Sequence, residues 1–173
     1  ARGCPPGSPG LAGHAFPSGA AHDRRLWAEL RAYSADTEVW TYGIVPEDVP
    51  LASSTTDDLF SFFEHGFDEN GEEALMLWEI TDSDSDLLEA PESTDLTAVF
   101  ADQHKSKTFD LSGLNVDRVE IQVKLRPMAL HVVDSLIESG DLDPSIRDAI
   151  PTFNLKGAEV TWNIADGWVC VPW

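Results

Sequence analysis

Residues 117–127 read DRVEIQVKLRP: Val119, Ile121, Val123 and Leu125 fall on one face of an extended chain, and Arg118, Glu120, Gln122, Lys124 and Arg126 fall on the other. Side chains of a strand alternate between faces, so this run predicts a half-buried strand, apolar toward a core and charged toward water. Pro127 lacks a backbone N–H and ends it. Immediately downstream the period changes. In MALHVVDSLIESGDLDP, residues 128–144, Leu130, Val133, Leu136 and Ile137 recur at helical spacing, with Gly140 placed as a C-terminal cap and Pro144 just beyond.

Upstream, Leu26, Ala28, Leu30 and Ala32 alternate with Trp27, Glu29, Arg31 and Tyr33, a second half-buried strand with Trp27 outward. TEVWTYGIV (37–45) follows a short SADT turn and makes a hairpin with it. LFSFFEHGF (59–67) and EEALMLWEI (72–80) flank DENG, whose Asn70-Gly71 pair predicts a turn with positive φ and hence a second hairpin. TDSDSDLLEAPESTD (81–95) is too acidic and too poor in β-branched residues for a core and reads as an exposed loop. AEVTWNI and GWVCVPW close the chain as short strands. The pattern is mainly β: an antiparallel β-sandwich of Ig-like type with one short amphipathic helix. Residues 1–22, rich in proline and glycine, form an extended N-terminal arm; residues 23–173 form the sandwich domain, with its helical insertion near 128–150.

A chain of 173 residues buries roughly two-thirds of its extended surface. Its 42% hydrophobic content, six Trp and eight Phe exclude a wholly disordered chain. No apolar run approaches the roughly 20 residues of a membrane helix, so no membrane insertion is expected. With 31 acidic against 11 basic residues, the net charge of -20 repels phosphate backbones and anionic head groups and argues against nucleic acid as a partner. The two cysteines, Cys4 and Cys170, stand near opposite ends. Joined, they would close a loop worth about 4 to 5 kcal/mol in the chain-entropy model. An even count fits a periplasmic or extracellular protein, two free thiols a cytosolic one.

No catalytic triad, phosphate loop or zinc-spaced cysteine set appears, and the expectation is a protein that is not an enzyme. Acidic oxygens make two weak calcium candidates: DENGEE, with Asp68 and Asn70, and DSDSD, with Asp82, Asp84 and Asp86. Neither has the ligand spacing of an EF-hand loop, and a hairpin turn and a solvated loop are the plain alternatives. Among the histidines, His131 reads as a core or boundary residue and His65 and His104 as surface; His22 either orients His14 or hydrogen-bonds a strand end. Trp27, Trp40 and Trp78 offer a stacking platform for sugars or ordinary cross-strand packing. His14 stands out in AGHAFPSGAAHDRRLW (12–27), because Gly13 removes bulk on one side while Pro17 and Gly19 fix the turn on the other. An imidazole so held is suited to ligating haem iron, its second nitrogen needing an acceptor to set the tautomer, or it is simply part of a turn.

The run GHAFPSG followed by DRRLWAELRAY, two hairpins, VEIQVKLRP and a helix ending in SGDLDPSIRDAIP resembles the C-terminal β-domain of secreted multihaem c-type cytochromes over roughly residues 12–155. In that family a GH-x-FP-T/S-G turn leads from the haem-bearing region into the sandwich, and its histidine commonly serves as distal haem ligand. The resemblance therefore implies a ligand role for His14. The sequence departs from the family in having no C-x-x-C-H, so any haem c must be held by a partner subunit, unless the domain has lost the cofactor and survives as a packing module. The resulting expectation is a non-enzymatic exported subunit packing on a haem-bearing cytochrome partner. The alternative is a structural or filament-forming protein that assembles with copies of itself, stabilised by calcium.

Overall fold

The computed structural model describes residues 15–19, 21–51, 59–90 and 105–166. The strand read at 117–127 is β5, Arg118–Arg126, and it is the spine of a five-stranded sheet. β1, Arg25–Ser34, lies antiparallel along its whole length, from Arg25 opposite Arg126 to Tyr33 opposite Arg118. β2, Thr37–Tyr42, returns along β1 through a two-residue turn in which Ala35 takes φ 51° and donates its N–H to Asp117 Oδ2 at 2.6 Å. The far edge of β5 is shared: β7, Val160–Asn163, pairs with Arg118 to Ile121, and β6, Phe153–Asn154, pairs with Lys124 and Leu125. All these pairings are antiparallel, as the sequence predicts.

The apolar stripe of β1 is buried as expected, with Leu26, Ala28, Leu30 and Ala32 at most 8% exposed. Its partner face differs from the expectation. Arg25 and Trp27 are each 1% exposed, and so is Arg126 at the end of β5, although alternation alone puts all three in water. The cause is the chain after β2, which turns at Gly43 and folds over this end of the sheet. Gly43 has φ 68°, and a Cβ there would stand 2.2 Å from the carbonyl oxygen of Ala28, so the crossing requires glycine. The core sits here, where Leu51, Phe63, Ala74, Ala129, Leu130 and Val133 close around the end of the sheet.

The second hairpin forms with a different partner. The turn at Asp68–Gly71 is present, with Gly71 at φ 77° and the Asp68 carboxylate taking the N–H groups of Asn70 and Glu72. Beyond one bridge, Phe67 to Glu73, the two flanking segments do not pair. EEALMLWEI consists of residues that favour helix over strand, and it makes a single 3-10 turn, Leu77–Glu79. β3, Glu64–Phe67, pairs instead with β4, Asp82–Ser85, which lies in the stretch expected to be a loop. All four β4 side chains are exposed, so the strand is held by backbone bonds and tolerates aspartate and serine.

The insertion near 128–150 contains two helices, α1 Leu130–Glu138 and α2 Ser145–Ala149, where the sequence predicts one. α1 ends in a Schellman motif: Gly140 at φ 84° donates to Ile137, and Asp141 donates to Leu136 at 2.9 Å. Within α1, Val132 joins Leu130 and Val133 as buried, while Leu136 and Ile137 are half-buried. Of the N-terminal arm, residues 1–14 lie outside the described residues. Its last residues are fastened to the body: Phe16 exchanges backbone hydrogen bonds with Leu88 at 2.8 and 2.9 Å, and Ala21 and His22 are buried. Cys4, Cys170 and the strand expected at GWVCVPW also lie outside the described residues. No helix among the described residues is long and apolar enough to cross a membrane.

Candidate functional site

Two arginines set opposite each other in the β1–β5 register, Arg25 and Arg126, are both buried. Two like charges removed from water are tolerated only when each finds acceptors. Arg126 donates from Nη1 to the Val49 carbonyl at 2.7 Å, from Nη2 to the Pro46 carbonyl at 3.2 Å and from Nε to Thr152 Oγ1 at 3.3 Å, and it lies over the Trp27 ring. Arg25 donates from Nε to the Leu51 carbonyl at 3.1 Å and from Nη1 to the His22 carbonyl, lies 4.6 Å over the Phe63 ring, and holds Nη2 3.6 Å from Glu73 Oε1. Burial lowers both guanidinium pKa values, Glu73 opposing the shift at Arg25 and Glu47 at Arg126. Trp27 completes the layer by donating its indole N–H to the Gly43 carbonyl at 3.0 Å.

Behind Arg25 three distant pieces of chain converge. His22 comes from the turn before β1, Glu73 from the segment after β3, and His131 from the first turn of α1. Glu73 Oε1 is 4.0 Å from His131 Nε2. Both ring nitrogens of His22 and of His131 are buried without a hydrogen-bond partner. Burial lowers the His131 pKa, and Arg25 lowers it further. Sequence reading placed His131 at the core boundary, where its ring lacks the hydrogen-bond partner expected of it, and offered His22 two roles, of which the strand-end hydrogen bond is not made by its ring and the orienting of His14 lies outside the described residues.

His65, expected at the surface, is buried at 9% exposure, tilted against Phe63 and 3.6 Å from Asp86 Oδ2. Asp86 accepts from Ser61 Oγ at 2.8 Å and from Lys105 Nζ at 2.9 Å. Burial works to raise its pKa, but the hydrogen bonds from Lys105 and Ser61 outweigh that and hold it below the ordinary carboxylate range. The calcium candidates are not gathered together. Asp68 is occupied with the backbone and side chain of its own turn, chiefly the Glu72 N–H, which keeps its pKa low. Asn70 donates to that carboxylate. Asp82 and Asp84 stand in β4 opposite Phe67 and His65, and Asp86 is committed as described. Among the described residues no group of three His, Cys, Asp or Glu side chains is set to hold a metal ion. His14 and His104 lie outside the described residues.

The outer face of the main sheet carries a polar groove of about 240 Å³ lined by Glu29, Arg31, Glu120, Gln122, Lys124 and Asn154, among others. Its cations are paired: Arg31 donates to Glu29 and Glu38, and Lys124 donates to Asn154 Oδ1 at 2.8 Å and sits 3.2 Å from Glu29 Oε2. Of the three tryptophans proposed for sugar stacking, Trp27 is sealed in the core and Trp40 packs against Tyr42 and Phe109. Trp78, on the 3-10 turn, is 80% exposed beside Leu77 at 57%. That turn is pinned by Glu79 Oε2, which accepts the Leu75 and Met76 N–H groups.

No family model matches the chain, and no curated protein matches it in sequence. Among solved structures, it is similar to a penta-haem cytochrome c552 from Thermochromatium tepidum, with a TM-score of 0.54 and 18% identity over 87% of this chain. The likeness is one of fold, and it covers 32% of that cytochrome's own length.

Proposed function

We propose that this chain is an exported, non-enzymatic packing unit of a multihaem cytochrome or related electron-transfer assembly, seated on a haem-bearing polypeptide to which its N-terminal lead supplies His14 as an axial haem ligand. The observation that carries this reading is the fold likeness itself: nearly all of this chain matches about a third of a penta-haem cytochrome. The sequence supports it in two ways. GHAFPSG resembles the turn that presents a distal histidine in that family, and the match extends through the strands and helix that follow it. Haem c would supply the redox chemistry when bound, and this chain's part would be to offer the His14 imidazole to it. Phe16 and Leu88, bonded to each other just after His14, fasten the lead to the body of the protein. The net charge of -20 favours a partner with a basic contact face.

The test is purification of the native complex followed by its visible spectrum. Copurification with a polypeptide carrying several C-x-x-C-H motifs is expected, and His14→Ala should shift the low-spin haem bands. An unchanged spectrum removes the ligand role; a colourless preparation without such a polypeptide removes the assembly. The second reading, self-assembly into a calcium-stabilised filament, draws on β2, which ends the main sheet with one backbone edge open among the described strands. It predicts a colourless polymer that shortens with chelator.

A further inference from the structure

We propose that the meeting point of His22, Glu73 and His131 is an acid-operated joint: a proton taken up at His131 opens the seam between the turn before β1, the chain after β3 and the start of α1, while the β1–β5 ladder stays closed. The inference concerns this chain alone and stands independently of any haem partner. Its basis is the charge balance inside the seam. The groups facing His131 are Arg25 from β1, Glu73 from the segment after β3, His22 from the turn before β1, and Asp134 from its own helix. At neutral pH one guanidinium faces one carboxylate, Arg25 Nη2 standing 3.6 Å from Glu73 Oε1. A proton on His131 adds a positive charge against the same oxygen, 4.0 Å away. Asp134 is engaged elsewhere, its two oxygens accepting from Arg147 Nε and Nη2. The added charge is therefore buried beside an arginine with its carboxylate already shared, the arrangement that desolvation penalises most.

The surroundings leave little room to relax. His22 is 3% exposed, and neither ring nitrogen of His22 or His131 has a hydrogen-bond partner. Gly66 fits under this corner because it has no side chain: a Cβ there would stand 3.0 Å from His22 Cε1 and 2.5 Å from Ile80 Cδ1. The His131 side chain keeps 20% exposure, but both of its ring nitrogens are buried, so proton uptake and opening of the seam go together. Arg25 inside the cluster opposes a metal cation as occupant, and no group of three donors among the described residues is arranged for one. The seam is held mainly by side chains, Arg25 reaching the His22 carbonyl and Glu73, with a backbone bond from Glu64 N–H to the Ala21 carbonyl at 3.3 Å, whereas β1 and β5 pair over nine successive positions.

The sign follows from linkage. His131 has a folded pKa below its ordinary value of about 6.5, so the closed seam keeps its full stability above that pH and loses it as pH falls below it. Across that window the opening equilibrium rises by up to about tenfold per pH unit for one coupled proton. Amide hydrogen exchange of the full chain at pH 7.5 and 5.5, corrected for intrinsic rates, tests this. Peptides covering 21–25, 64–67 and 129–133 should open more at pH 5.5, approaching tenfold, while 26–33 and 118–125 stay within twofold. His131→Gln should abolish the difference. A rise shared equally by the ladder, or one that survives His131→Gln, overturns the proposal. Should that variant not fold, the carbon chemical shift of the wild-type His131 ring decides: a titration midpoint below about 6.5 upholds the joint, and one at or above it overturns the joint.

Discussion

At the scale of single residues, three side chains that alternation assigns to water hold the fold together from inside. Arg126 is the sharpest case. Replacing it with Met keeps most of the aliphatic bulk but removes the guanidinium that ties the Val49 and Pro46 carbonyls and Thr152 to the end of β5. The expected loss is about 1 to 3 kcal/mol, read as a lower urea midpoint with unchanged slope. Gly43→Ala should cost at least about 2 kcal/mol in the same measurement, because the new Cβ meets the Ala28 oxygen and φ is positive. Neither effect was legible in the sequence. The period of two in DRVEIQVKLRP fixes which face Arg126 occupies, but whether that face meets water depends on where residues 43–51 travel, a tertiary fact with no local signal. His22 and His131 escaped for the same reason: they are far apart in the chain, and only the packing of α1 against the turn before β1 brings them together.

At the scale of elements, the turns, the cap and the first hairpin were read accurately, and the partner of the second hairpin was not. The Ser34–Thr37 turn, the positive φ at Gly71 and the Gly140 cap all stand where side-chain chemistry puts them. The strand DSDS has no apolar face, so periodicity is silent about it, and its identity as the partner of β3 comes from backbone bonds alone. What fastens the end of that strand is Asp86, linked to Ser61 and Lys105. Its folded pKa lies below the ordinary carboxylate value of about 3.9. Its contribution is therefore present above that pH and lost as pH falls through the lower, folded value. Asp86→Asn should flatten this part of the stability profile, as measured by urea unfolding between pH 5 and 2.5. An unaltered profile would show that Asp86 does not anchor β4.

At the scale of the whole molecule, the period of two along the chain predicted the mainly antiparallel β fold that the described residues show, a fold similar to about a third of a penta-haem cytochrome. A net charge of -20 repels itself across a small body, so added sodium chloride should raise the melting temperature of the isolated chain before any specific ion does. Calcium at matched ionic strength should add nothing further if the dispersed carboxylates of Asp68, Asp82, Asp84 and Asp86 bind no ion; a saturable extra rise would revive the calcium reading. Trp78→Ser should leave the urea midpoint within about 0.5 kcal/mol, since that ring is 80% exposed. Should a haem-bearing polypeptide copurify with the chain, its loss with the same variant would place the 3-10 turn at the contact.

The facing arginines also dictate an order of assembly. Residues 46–51 give up carbonyls to Arg25 and Arg126 together, and those two guanidiniums become neighbours only after the first and fifth strands have zipped to their last pair. The crossing segment is thus a clasp that shuts on a finished sheet, and the burial of Trp27 beneath it should be the final fluorescence event of refolding.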